Sequence, residues 1–217
     1  MREPRHNLHC HANSCEVRRL ARFARIGFAM IELLVVCLLL IVLTTLYWSY
    51  LSPSEQNRKQ KSCQQNLQKL HIALQIYATG SGGKFPVAVG ARTAEEPLEL
   101  LVPRYTVDTS LFICPASEDS PLPSGQDLRD GKISYAYYMG QHPTESREVL
   151  MSDRQIDTRP KAAGQEIFSP TGNPPGNNHQ KAGGNILFCD GSVEFSPPRA
   201  AYSLSVTQGV VLLNPKP

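Results

Sequence analysis

The chain has no dominant charge. Its 22 lysines and arginines face 19 aspartates and glutamates, a formal net charge of +3 over 217 residues. That balance excludes the basic footprint of a nucleic-acid binder. Much of the excess lies ahead of position 27, where Arg2, Arg5, Arg18, Arg19, Arg22 and Arg25 face only Glu3 and Glu16. The basic residues after Leu70 are scattered, so no stripe for DNA is expected. Cysteine is also scarcer than its count of six suggests, because Cys10 and Cys15 lie in the basic front segment and Cys37 lies in an apolar run. Cys63, Cys114 and Cys189 remain, an odd number that excludes a dense disulfide scaffold and leaves room for one bridge in an oxidising compartment. No acidic cluster has the ligand number calcium requires, and no metal or other cofactor is expected. A low-pKa thiolate and an orienting third group are also missing around Cys189 and His179, so no catalytic residue is assigned and the chain is not read as an enzyme. The length suits one modest core with extra segments.

What the sequence does contain is one long apolar run, FAMIELLVVCLLLIVLTTLYWSYL from Phe28 to Leu51. As a helix it is roughly 36 Å long, enough to cross a bilayer. Tyr47, Trp48 and Tyr50 gather at its far end, where amphipathic rings favour the headgroup region, and the arginines precede its near end. This orients the C-terminal part outward, although Arg58, Lys59 and Lys61 weaken the asymmetry. A secretory signal peptide starts similarly, but this run is longer than a usual signal core and no small-x-small cleavage site follows it. Arg18-Arg19 suggests a twin-arginine signal, which the long apolar segment behind it contradicts. Glu32 is the anomaly. A carboxylate inside a bilayer costs about 2–3 kcal/mol at mid-depth, so it snorkels to the interface or has a partner.

Gly27-Phe28-Ala29-Met30-Ile31-Glu32-Leu33-Leu34-Val35-Val36 resembles the processing site of type IV pilins and type II secretion pseudopilins. The resemblance implies cleavage after Gly27 by a prepilin peptidase on the cytoplasmic face, then N-methylation of the new terminal Phe28. The leader departs and the apolar helix stays. In that family the glutamate is thought to pair with the terminal amine of a neighbouring subunit, which here assigns Glu32 to assembly. Physically, glycine at the cut allows backbone access. A paired buried carboxylate would set axial register more than it adds net stability. Ala29-Met30 replaces the commoner Thr-Leu, and the leader is longer than most.

Beyond the aromatic end, Pro53 predicts a kink or local break. Cys63, Leu67, Leu70, Leu74 and Tyr77 then fall on one helical face, with Gln64, Gln65, Gln68 and Lys69 mostly elsewhere. Gly80-Ser81-Gly82-Gly83 ends this amphipathic helix. The expected organisation is a removed leader over 1–27, a transmembrane helix over 28–51, an amphipathic helix over 52–80, and a β-rich extracytoplasmic head over 81–217. The fold class is α+β and pilin-like, a long N-terminal helix packed on a small loop-rich antiparallel sheet. Within the head, 95–102 reads equally as short helix or strand. Ser110–Cys114 reads as a buried strand stopped by Pro115, 117–131 as a surface loop, and Ile133–Met139 as a central strand. The 154–176 stretch reads as a long exposed loop.

Asn185–Phe195, NILFCDGSVEF, predicts a hairpin turning on Asp190-Gly191. A two-residue turn sets Phe188 opposite Val193 and Ile186 opposite Phe195, all on one apolar face. With His179 upstream, the hairpin resembles the H-x9-DG signature of large families of pilin-like proteins from planctomycete-type bacteria. Cys63-Gln-Gln-Asn66-Leu67 and Phe112-Ile-Cys114-Pro115 resemble further landmarks of those families. Ten residues rather than nine separate His179 from Asp190, which suggests a one-residue insertion over 180–184. Asp190 is expected at a φ > 0 turn position beside Gly191, with His179 satisfying nearby backbone groups. A Cys63–Cys114 bridge would tie helix to sheet and contribute about 2–4 kcal/mol.

The resulting expectation is a pilin-like structural subunit or pseudopilin of a type II secretion or type IV pilus-like assembly. It would sit in the inner membrane as a single-pass protein with its head outside. Its partners would be a prepilin peptidase, other pilin-like subunits, an inner-membrane assembly platform and lipid, without nucleic acid. The competing reading is a membrane-anchored extracytoplasmic binding or hydrolytic protein on a pilin-type anchor.

Overall fold

The computed structural model describes residues 30–47, 55–123, 126–204 and 206–217. The leader, Gly27, Phe28, Trp48, Tyr50 and Pro53 lie outside them, and with them the expected processing site and helix break. The chain divides into two compact units, 1–53 and 54–217.

In the first unit, α1 runs from Met30 to Tyr47 with a mean hydropathy of 2.6. All its side chains are exposed, and Glu32 is its one charge. Its polar hydroxyls are satisfied locally, since Thr44 donates to the Ile41 carbonyl at 2.9 Å and Thr45 to that of Val42 at 2.8 Å. The helix thus presents a nearly continuous apolar surface. By length and composition it fits a single-pass membrane anchor, as it also fits the core of a signal sequence.

The second unit is α+β. Helix α2 spans Glu55–Gly80 and buries Cys63, Leu67, Leu70, Ala73, Leu74 and Ala78 along one face. It ends where Gly82 and Gly83 take positive φ and the Gly83 N–H turns back to the Ala78 carbonyl at 2.8 Å. Five antiparallel strands follow: β1 Tyr135–Met139, β2 Val149–Asp153, β3 Gly184–Phe188, β4 Val193–Ser196 and β5 Val211–Leu213. Their order is β4-β3-β2-β1-β5, which makes the predicted strand at 133–139 an interior one.

Strand alternation splits the core in two. Tyr135, Tyr137, Met151, Leu187 and Leu213 face α2 and join its buried stripe. Ala136, Tyr138, Ile186, Phe188 and Leu212 face the other way. There the 154–176 stretch departs from the expected exposed loop. Ile167 and Phe168 are buried against that face, and the stretch pairs back through Lys161 with Leu204 and Glu166 with Arg199.

Two other expectations are corrected, and the open reading of 95–102 is decided. Ser110–Cys114 is not a strand but largely a 3-10 turn over Thr109–Phe112, because the Asp108 carboxylate accepts from the Ser110 N–H and caps it. The 95–102 segment is helical, as α3 over Glu95–Leu98 and a 3-10 turn over Glu99–Leu101. The hairpin register is shifted by one residue: Leu187 pairs with Val193, Ile186 with Glu194 and Asn185 with Phe195. The Gly191 N–H bonds the Phe188 carbonyl at 3.0 Å and the Phe188 N–H bonds the Ser192 carbonyl at 2.9 Å, so the loop has three residues, Cys189 to Gly191. Only Gly191 takes positive φ. The Asp190 side chain instead accepts from the Ser192 N–H at 2.8 Å.

Candidate functional site

Alternation along β3 sends Asn185 toward α2 together with Leu187, and the one-residue shift brings Phe195 to the same face. Asp153 ends β2 opposite Tyr135 and on the same face. An acid at that position points into the helix-facing core and needs compensation. Compensation comes from four directions. The Asn178 side-chain amide donates to Asp153 Oδ1 at 2.7 Å, the Asn185 N–H to Oδ2 at 2.6 Å, and the Asn185 side-chain amide to Oδ2 at 3.2 Å. His179 Nε2 lies 3.3 Å from the same Oδ2.

Two cysteines complete the cluster. Cys63 comes from α2, its Sγ 3.4 Å from Asp153 Oδ1 and 3.3 Å from the Tyr135 hydroxyl. Cys114 follows the 3-10 turn, its Sγ 3.4 Å from His179 Nε2. Asn66, one turn along α2, donates to the Ile113 carbonyl at 3.0 Å and pins the Cys114 segment to the helix. Phe195 stacks edge-on against the His179 ring at 5.9 Å between centroids. Donor atoms of Cys63, Cys114, Asp153 and His179 all lie within 4.8 Å of one another. All four residues are buried.

The expected Cys63–Cys114 pairing is therefore revised. The structure brings these two cysteines together, but both are free thiols here, facing an acid and an imidazole. His179 also differs from expectation, meeting side chains rather than backbone groups. Asp190 and Gly191 are not part of the cluster. Asp190 is exposed at the hairpin tip, whose Cys189 carbonyl meets His71 Nε2 at 2.9 Å. The segment proposed to hold the extra residue contains a 3-10 turn over Gln180–Ala182 and a positive φ at Gln180. Glu32 belongs to the first unit. Asp153, Asn178 and Asn185 were missed. Burial of an acid at the end of β2 is the missing signal, and that required the strand to be found first.

Burial disfavours charge on His179, but its contacts with Asp153 and Cys114 raise it from the ordinary 6.5 to about 10. Burial likewise pushes Asp153 up, and bonds from His179, Asn185 and Asn178 outweigh it, leaving the carboxyl below its usual range. Burial, with Cys114 and Asp153 nearby, holds the Cys63 thiol well above its usual value. At Cys114 burial is outweighed by contacts with Cys63 and His179, which lower it. Cys189 stands apart, pushed up to about 12 by burial and by Glu145, Glu148 and Asp190. A thiol so held is a poor nucleophile.

No family model, curated protein or solved structure matches the chain.

Proposed function

We propose that the chain is a pilin-like structural subunit, a pseudopilin of a type II secretion or type IV pilus-like assembly. It is matured by prepilin peptidase cleavage after Gly27 and N-methylation of Phe28. The observation that carries this reading is Glu32, one carboxylate on the exposed surface of an otherwise uncharged apolar helix, five residues behind Gly27. A carboxylate in lipid costs about 2–3 kcal/mol at mid-depth, so an arrangement that supplies a cation is favoured. Cleavage after Gly27 creates one, the freed amine of Phe28. In a bundle of such helices the amine of one subunit neutralises Glu32 of the next and fixes their axial stagger. The partners are the peptidase, other pilin-like subunits, an inner-membrane assembly platform and lipid. The head stands outside the inner membrane, presenting a surface to cargo or partners, and this role requires no catalytic residue.

The test is Glu32→Ala beside the isosteric Glu32→Gln in cells, followed by cross-linking of membrane fractions. Both variants are expected to stay in the membrane and to lose the cross-linked ladder of subunits. A ladder equal to that of the unmodified chain would overturn the assembly role.

A further inference from the structure

We propose that Cys63, Cys114, Asp153 and His179 form a structural zinc site that fastens α2 to the sheet. The spacing of the donors carries the argument. Zinc held tetrahedrally at about 2.3 Å from sulfur and about 2.0–2.2 Å from nitrogen and oxygen sets its ligands about 3.4–3.8 Å apart. The cluster has Asp153 Oδ2 3.3 Å from His179 Nε2, Cys114 Sγ 3.4 Å from the same nitrogen, and Cys63 Sγ 3.4 and 3.7 Å from the Asp153 oxygens. A charge-assisted imidazole–carboxylate bond is shorter, about 2.7–2.9 Å. The Asp153–His179 separation suits an edge of a coordination tetrahedron better than a charge-assisted hydrogen bond, the sulfur separations fit such edges too, and all four donors lie within 4.8 Å of one another.

Proton accounting points the same way. His179 Nε2 lies 3.1 Å from the Asn185 amide nitrogen, a donor, and 3.3 Å from an Asp153 oxygen, an acceptor. One ring nitrogen cannot donate and accept at once. With its lone pair on a cation, Nε2 needs no proton, and Asn185 donates to Asp153 alone. Zinc binding sends the two thiol protons and the Nε2 proton to solvent, while Asp153 is already ionised. Two thiolates and a carboxylate against a dication leave one negative charge. The amides of Asn178 and Asn185, the Asn185 N–H and the Tyr135 hydroxyl surround it as donors.

The donor set selects the metal. Calcium requires six or more oxygens, and monovalent copper favours sulfur without a carboxylate, whereas two sulfurs, one nitrogen and one oxygen in a tetrahedron suit zinc. Four buried protein ligands leave no open position, which makes the site structural rather than catalytic. A cavity of about 270 Å³ bounded by Glu55, Gln56, Lys59, Ala116, Asn178 and His179 lies beside the cluster on its His179 side. The ligands come from positions 63, 114, 153 and 179, so one ion closes several long loops.

The test is elemental analysis of the full chain, purified in detergent without chelator. About one zinc per chain is expected, with the same content in Cys189→Ser and a fall to below about a tenth in Cys114→Ala and Asp153→Asn. Cobalt exchanged into the unmodified chain reads the site independently of whether any ligand variant folds, and it should give the thiolate charge-transfer and tetrahedral d–d bands. A chain without zinc that gives no such bands with cobalt overturns the proposal, whether its two cysteines are free or joined as a disulfide.

Discussion

Gly191 lies against His71: a Cβ added at the glycine would stand 2.8 Å from the imidazole of α2. The turn of the hairpin thus rests on the helix, and its glycine is needed for both its φ of +86° and this close approach. Gly164 has nearly the same φ, +85°, and nothing within 4 Å of such a Cβ. Gly164→Ala should therefore cost about 1 kcal/mol from backbone strain alone, and Gly191→Ala about 2–4 kcal/mol as the helix contact is added. Urea unfolding of the two variants measures the difference, and equal losses would remove the helix contact from the account.

Asp153 is the acid on which the helix-facing core is organised. Asp153→Leu removes the acceptor shared by the His179 ring, the Cys63 thiol and the amides of Asn178 and Asn185. It should cost about 3–5 kcal/mol. Asp119→Ala removes a more exposed partner of Arg154 and should cost about 1–2 kcal/mol, less than the buried acid does. Thermal unfolding of the two variants side by side tests the ranking.

The hairpin register makes its own prediction. Phe195 pairs with Asn185 and packs on His179, whereas Glu194 pairs with Ile186 and its side chain is exposed. Phe195→Ala should lower stability by about 1–3 kcal/mol, and Glu194→Ala should stay within about 0.5 kcal/mol. Cross-strand NMR contacts between Leu187 and Val193 would confirm the three-residue loop. Contacts between Phe188 and Val193 as directly opposed residues would restore the two-residue turn.

What was legible in the sequence follows from the range of the signal. Helical spacing over Cys63, Leu67, Leu70 and Leu74 marks the face that α2 buries, because helix periodicity is local and long. The hairpin was legible as an element, but Asp190-Gly191 fits both a two-residue turn and the end of a three-residue loop, and one residue of register reverses every side chain. Strand β5 is three residues long and β2 contains a bulge between Val149 and Met151, so neither carries a clean alternation. The cluster was half visible. Cys63, Cys114 and His179 stood out as residue types, while Asp153 joined them only through strand order, which no local pattern encodes.

The central claim is that the amine of residue 28 is freed to meet Glu32, and mass spectrometry of the chain recovered from cell membranes tests it most directly. The account predicts a mature protein that begins at N-methylated Phe28, retains the whole of α1 and yields no peptide from residues 1–27. A chain that still carries its arginine-rich front segment, or one that begins beyond the apolar run as a cleaved signal sequence would leave it, contradicts the account.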